Sequence, residues 1–292
     1  MKALVVSNCA TSSYVHGLKS LFPDWEVRGA MSDLAEQWVT SDPPRAGFVQ
    51  YTQDCDFYIG FPPEGTRYGQ LLSKRSRCVV IPPFWFRGLQ PDCFGLNGFV
   101  SALGGGNLYS RIVVASFQTG LTAARTCELF NSKTYEAFDL LSCYDREKQE
   151  LVDRYRPYGI DLSDSFERWL ARGNFLYSYN HPRIDVLMEI LRRALAAAGI
   201  IRMSEFDLDT DMGVVDELKE SIVWPIYPEI ARLHCLDGSL IWRQGRVHDY
   251  RTLDLEQFVD ASFQELNAKP LPEVAELPAW RAALAGCLGE AC

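Results

Sequence analysis

The chain has 292 residues, enough for one large domain or two modest ones, and at 47% apolar and 23% charged its composition is that of an ordinary globular protein. A net charge of −9 excludes a general nucleic-acid binder, whose footprint is basic. No apolar run approaches the roughly 20 residues of a transmembrane helix, and no basic and apolar leader precedes the first strand-like run, which together predict a cytoplasmic protein.

Residues 2–9, Lys-Ala-Leu-Val-Val-Ser-Asn-Cys, read as a strand that drops into a tight turn carrying a thiol. A helix follows over residues 11–21, with Tyr14, Val15, Leu18 and Leu21 as its apolar stripe and the hydroxyls of Thr11, Ser12 and Ser13 available as caps. Strands are predicted at 25–28, 56–61 and 78–81, and helices at 31–39 and 66–72, with a break at Asp42-Pro43-Pro44 and a stop at Pro82-Pro83. Strands alternating with helices predict a parallel sheet, because each parallel connection needs a crossover. The expected fold is α/β, a three-layer parallel sheet of flavodoxin-like or SGNH-hydrolase-like type over residues 1–132.

Residues 84–106 are aromatic and punctuated by Gly and Pro, the composition of a binding loop, and 109–129 read as a buried helix. From 133 to 292 the pattern is mainly helical, packed on the sheet region as one compact unit. A charged-faced helix is predicted at 138–155, and Asp161-Leu162-Ser163-Asp164 reads as a helix start. The clearest helix has Asn180-His181 before Pro182 at its first position, a stripe of Ile184, Leu187, Met188, Leu191 and Leu195, and Gly199 at its end. The acidic stretch 205–217 reads as a loop whose Asp207, Asp209 and Asp211 fail the EF-hand spacing. A short strand pair is expected within 222–250 and a helix at 277–287.

The nine cysteines are irregularly spaced and include no C-x-x-C pair, so most read as small buried hydrophobes and no metal ligand is assigned. Cys9 stands apart because its turn lies at the C-terminal edge of a strand and beside a helix N-terminus, which lowers a thiol pKa. Asn8 and the turn amides are candidate oxyanion donors. Of the four histidines, His181 has the best setting for a base, since a helix N-terminus favours neutral imidazole. Asn180 is a cap or an orienting amide. Asp92 orients a histidine or makes an Asx turn. Lys74-Arg75-Ser76-Arg77 is the densest basic cluster.

Ser7-Asn8-Cys9 resembles the N-terminal Gly-Asn-Cys-Gln signature of WcbI-type polysaccharide biosynthesis proteins, acetyltransferases of bacterial capsule assembly. The likeness continues through Ile81-Pro82-Pro83-Phe84-Trp85-Phe86-Arg87-Gly88, Pro91-Asp92, Ile160-Asp161-Leu162-Ser163-Asp164, Asn180-His181-Pro182 and Trp224-Pro225-Ile226-Tyr227-Pro228. The resemblance implies a cytoplasmic enzyme that binds coenzyme A or acetyl-CoA and moves an acetyl group to a sugar hydroxyl through a cysteine–histidine pair. Ser7, Ala10 and Gln90 depart from the family's Gly, Gln and His. The roles that follow are Cys9, His181 and Asn8 in catalysis and Lys74, Arg75, Arg77, Arg87 and Arg111 on the coenzyme phosphates. Ser7, Ser12, Trp85, Asp92 and Asn180 would contact a sugar or polysaccharide acceptor. An esterase or deacetylase with the same dyad, and a non-catalytic coenzyme- or sugar-binding protein, fit the same residues. The oligomeric state stays open, a homo-oligomer included.

Overall fold

The computed structural model describes residues 1–104, 106–204 and 213–289. In chain order the first elements are β1 (Lys2–Ser7), α1 (Thr11–Leu21), β2 (Glu26–Met31), α2 (Ser32–Thr40), α3 (Ala46–Asp54), β3 (Phe57–Gly60), α4 (Arg67–Gln70) and β4 (Arg77–Val80). Next come β5 (Cys93–Gly95), β6 (Leu108–Ser110), α5 (Arg111–Gln118), α6 (Ala123–Cys127), α7 (Ser132–Ala137), α8 (Tyr144–Tyr155) and α9 (Ser165–Ala171). The chain closes with β7 (Leu176–Ser178), β8 (His181–Pro182), α10 (Ile184–Ala197), α11 (Pro228–Leu233), β9 (Trp242–Arg243), β10 (Thr252–Leu253), α12 (Leu255–Asn267) and α13 (Leu277–Gly289). Among the described residues no helix is long and apolar enough to cross a membrane.

The elements fall into two compact units. One is built from Met1–Phe84, Leu151–Phe166 and His181–Leu218, the other from Trp85–Glu150, Glu167–Asn180 and Lys219–Cys292. The boundary expected at residue 132 falls inside the stretch Trp85–Glu150.

The first unit carries a four-stranded parallel sheet in the order β2-β1-β3-β4. The central strands are apolar without alternation: Ala3, Leu4, Val5 and Val6 are all buried, as are all four residues of β3. Leu4, Val6 and Tyr58 share one core cluster with Ala35, Tyr51 and Tyr68, and Trp38 and Phe48 pack against it. At Gly17, α1 meets α10 so closely that a Cβ would lie 2.6 Å from Met188 Sδ and 2.9 Å from Leu191 Cδ2. The prolines at 43 and 44 separate α2 from α3, a helix that the sequence pattern does not announce. Gly199, at φ +66, donates its N–H to the Ala196 carbonyl at 2.9 Å and closes α10 as expected.

One expectation about that helix is wrong. Helix α10 begins at Ile184, with Arg183 extended at its cap position and making no cap bond of its own, while Asp216 Oδ2 accepts the Ile184 N–H at 2.9 Å. His181 and Pro182 form β8 instead, so neither Asn180 nor His181 caps a helix. A proline disfavours helical geometry in the residue before it, which keeps His181 extended.

In the second unit β5 and β6 pair antiparallel. The single helix expected over 109–129 is broken in two. The Ser110 hydroxyl caps α5 by accepting the Val113 N–H at 3.1 Å, Gly120 turns at φ +77, and the Thr122 hydroxyl caps α6 by accepting the Arg125 N–H at 3.2 Å. The core here is aromatic: Trp242 stacks on Phe258 at 4.1 Å, with Trp224 edge-on to both. Helix α12 opens with a capping box between Asp254 and Gln257. Of the strand pair expected within 222–250, only β9 falls in that range: it pairs with β10, which lies beyond it, and Val223 makes an isolated antiparallel bridge to Arg243. Asp207, Asp209 and Asp211 lie outside the described residues.

Candidate functional site

The strand order reverses at β1: β2 is added on one side and β3 on the other. Such a switch point leaves a crevice at the carboxyl ends of the two strands, and ligands of open α/β sheets bind there. The residues at that place are Ser7 at the end of β1 with Asn8 and Cys9 after it, and Gly60 at the end of β3 with Phe61 after it. Gly60 has φ +144, and a Cβ on it would lie 1.9 Å from the Val6 carbonyl oxygen, so only glycine lets the strands meet at this rim.

The turn is held by its own backbone. The Asn8 carbonyl accepts the Thr11 N–H at 3.0 Å and the Thr11 hydroxyl at 2.7 Å. Asn8 Oδ1 accepts the Ala10 N–H at 3.1 Å. The amide Nδ2 of Asn8, the donor an oxyanion needs, makes no hydrogen bond with any described residue. The expected hydroxyl cap is absent: Ala10 occupies the cap position, and no side chain bonds the first amides of α1. With the Thr11 N–H taken by the Asn8 carbonyl, the Ser12 and Ser13 amides remain as the orphan donors from which helix N-termini build anion sites.

Cys9 is exposed, whereas Cys55, Cys93, Cys143 and Cys287 are buried. Its thiol pKa is nevertheless raised. Desolvation by the surrounding protein is the largest cause; a bond with its own backbone N–H opposes it, and the carboxylate of Asp33 adds to it. The sequence-based expectation of a lowered value does not hold for the protein alone. Asp33 sits in the first turn of α2, directly after the strand whose Met31 pairs with Ser7. The sequence offered no sign that this carboxylate faces the thiol.

His181 belongs to the same unit as Cys9. Burial lowers its pKa from 6.5 to about 4, so the imidazole is neutral at pH 7 through desolvation rather than through a helix dipole. His16 faces Glu217 at 3.6 Å on the surface. Ser7 is buried at the end of β1, and Ser12 is half-buried in α1.

The basic cluster is not on this rim. Arg77 pairs with Phe57 and Phe57 with Ala3, so Arg77 lies level with the start of β1. Ser7 is four residues further along, about 13 Å at roughly 3.3 Å per residue. Lys74 and Arg75 precede Arg77 on that opposite edge, and Arg77 donates to the Ala198 carbonyl at 2.6 Å.

The remaining predicted residues lie in the second unit. Trp85 is 38% exposed. Asn180 accepts the Ser178 hydroxyl at 3.0 Å, in a turn rather than a cap. Asp92 is fully buried: Oδ1 accepts the Ile112 N–H at 3.0 Å and Oδ2 the Tyr227 hydroxyl at 2.6 Å. It therefore anchors the start of α5 and joins the Pro-Asp and Trp-Pro-x-Tyr-Pro segments. Gln90 is also buried and donates to the Trp224 carbonyl at 2.6 Å. In the first unit Asp161-Leu162-Ser163-Asp164 has a similar anchoring role. Arg193 of α10 donates to the Asp161 carbonyl at 2.7 Å and to Asp164 at 2.8 Å, and pairs with Glu189 at 2.9 Å. Arg87 and Arg111 line one pocket with Trp280, a partner from the tail helix that sequence reasoning passed over.

A family model described as the polysaccharide biosynthesis enzyme WcbI matches residues 2–202. Among solved structures, a chain described as WcbI, a novel polysaccharide biosynthesis enzyme, is similar with a TM-score of 0.66. The likeness covers 98% of this chain and 94% of that one at 16% sequence identity, and at that identity it speaks for the fold. That structure is described as the native protein without a disulfide bond between coenzyme A and one of its cysteines. No curated protein matches.

Proposed function

The chain belongs to the WcbI family of polysaccharide biosynthesis enzymes, and from that premise we propose that it transfers an acetyl group from acetyl-CoA to a hydroxyl of a sugar or polysaccharide precursor, with the coenzyme's thiol end at Cys9. The observation that carries this reading is the exposed Cys9 on the switch-point turn, beside an unpartnered amide donor and uncapped helix amides. The solved WcbI is described by the absence of a disulfide bond between coenzyme A and one of its cysteines, which names such a pairing, and Cys9 is the counterpart that the Asn-Cys turn offers.

The coenzyme supplies an acetyl thioester, and the protein supplies the rest. Asn8 Nδ2 and the Ser12 and Ser13 amides of α1 donate to the thioester oxygen as negative charge develops on it. His181 takes the proton of the acceptor hydroxyl while the new C–O bond forms and the C–S bond breaks, and returns that proton to the departing sulfur. A neutral imidazole is the required form. Cys9, with a raised thiol pKa, keeps its proton at pH 7 and lines the thioester. It becomes the attacking group only when its proton is removed as it attacks. The same raised pKa supports a second reading, in which Cys9 holds the coenzyme without catalysis.

The test is acetyl-CoA consumption with sugar acceptors, together with the melting temperature under coenzyme A, for the chain and for Cys9→Ala. Coenzyme A should raise the melting temperature, since a ligand specific to the folded state stabilises it. Acetyl transfer should fall with Cys9→Ala. Transfer and thermal shift both unchanged in Cys9→Ala would remove the thiol from the site. A thermal shift without turnover on any acceptor would favour the non-catalytic reading, and acetate release without coenzyme a hydrolase.

A further inference from the structure

The second unit holds a pocket of about 300 Å³ that the thiol turn does not use, with Arg87, Arg111, Trp280, Glu273 and Glu276 in its lining. Two guanidinium groups in one pocket stand against a chain charge of −9. Each is held by an aromatic ring: Arg111 Cζ lies 5.8 Å from the Trp280 centroid, and Arg87 Cζ lies 4.8 Å from that of Tyr179, to whose phenol oxygen it also donates. A ring face engages the plane of a guanidinium and leaves its in-plane N–H edge for an oxyanion. The Nε of each arginine is buried without a hydrogen-bond partner.

The nearby carboxylates are engaged elsewhere. Asp92 is bound by Ile112 and Tyr227, and Glu147 accepts the backbone N–H of Arg87 at 3.1 Å. Among the described residues neither guanidinium makes an ion pair. Desolvation and repulsion from Arg87 both weigh against the charge on Arg111, although Asp92 favours it, and a bound anion would relieve that strain.

Glu273 and Glu276 are exposed and narrow the choice of anion. They repel a ligand with several negative charges, yet accept hydrogen bonds from hydroxyls. A volume near the lower end for ligand pockets suits one monosaccharide rather than a whole coenzyme. Trp280 offers an apolar wall to the C–H face of a sugar ring. We propose that this pocket is a subsite for an acidic sugar, with its carboxylate or phosphate monoester on Arg87 and Arg111, its hydroxyls on the glutamates and its ring against Trp280. The proposal takes from the function above only that the ligand is a sugar.

The test is calorimetric titration of the full chain with galacturonate, glucose 1-phosphate, uncharged glucose and adenosine 3′,5′-bisphosphate. At least one acidic sugar should bind, and glucose about tenfold more weakly or not at all. Which acid binds assigns carboxylate or phosphate as the anion. Arg87→Ala and Arg111→Ala should each weaken it by about tenfold or more. Arg111→Lys keeps the charge and loses the fork, so it serves where the alanine variant does not fold. Cys9→Ser should keep the affinity, so lost turnover in that variant speaks only to the thiol. Equal binding of glucose, preference for the bisphosphate, no binding of either acid at millimolar concentration, or unchanged affinity in folded arginine variants would overturn the assignment.

Discussion

The proton chemistry assigned to His181 can be tested through the fold as well as through catalysis. Its pKa is 6.5 in an unfolded chain and about 4 in the folded one, because burial disfavours the imidazolium. The group therefore contributes stability that is fully present above pH 6.5 and is lost as pH falls towards 4. Between pH 7 and pH 5 the unfolded chain takes up about three quarters of a proton there and the folded chain almost none, a loss of about 2 kcal/mol by linkage. The limit below pH 4 is about 3 kcal/mol. The assay is urea unfolding at pH 7 and pH 5 for the chain and for His181→Gln, with the imidazole C2–H resonance followed by NMR across the same range. The variant should lose about 2 kcal/mol less over that interval, and the resonance it removes should titrate near 4. The acid limb of kcat/KM, where a neutral base is required, should lie near the same value. An imidazole that titrates near 6.5, with equal acid sensitivity in chain and variant, would refute the burial argument and the choice of base that rests on it.

Two further substitutions test the frame around the sites. Gly60→Ala places a methyl 1.9 Å from the Val6 carbonyl at a positive φ and should cost more than about 3 kcal/mol in urea unfolding; a loss below about 1 kcal/mol would show that the rim relaxes easily. Tyr227→Phe removes the 2.6 Å bond to buried Asp92 and should cost about 1.5–3 kcal/mol by the same measurement, whereas no change would mean that the carboxylate finds another donor.

The strand–turn–helix around Cys9 was legible because an apolar run without alternation, a small-residue turn and a helical stripe agree with one another. The parallel sheet was legible for the same reason. His181 was misplaced because a proline reads as the first residue of a helix, while its steric effect on the preceding residue draws the chain into β8. The break in 109–129 was marked by Gly120 and by the hydroxyls of Ser110 and Thr122, but a continuous apolar stretch concealed those signals. Asp254 and Gln257 spell a capping box that would have revealed α12. The basic cluster at 74–77 looked like a phosphate site because composition says nothing about which end of a strand it occupies. Arg111 and Trp280 are 169 residues apart in sequence, and no local pattern joins them.

The alternation of chain stretches between the two units matters for synthesis on the ribosome. Helix α1, which backs the Cys9 turn, finishes at Leu21, but the helix that fills the notch at its Gly17 starts at Ile184. By then two stretches of the other unit have already been made. The nascent thiol turn must therefore wait with the Gly17 face uncovered, and no single cut in the gene would release either unit with its contacts complete. Emergence of α10, rather than of the first strands, completes the packing behind Cys9.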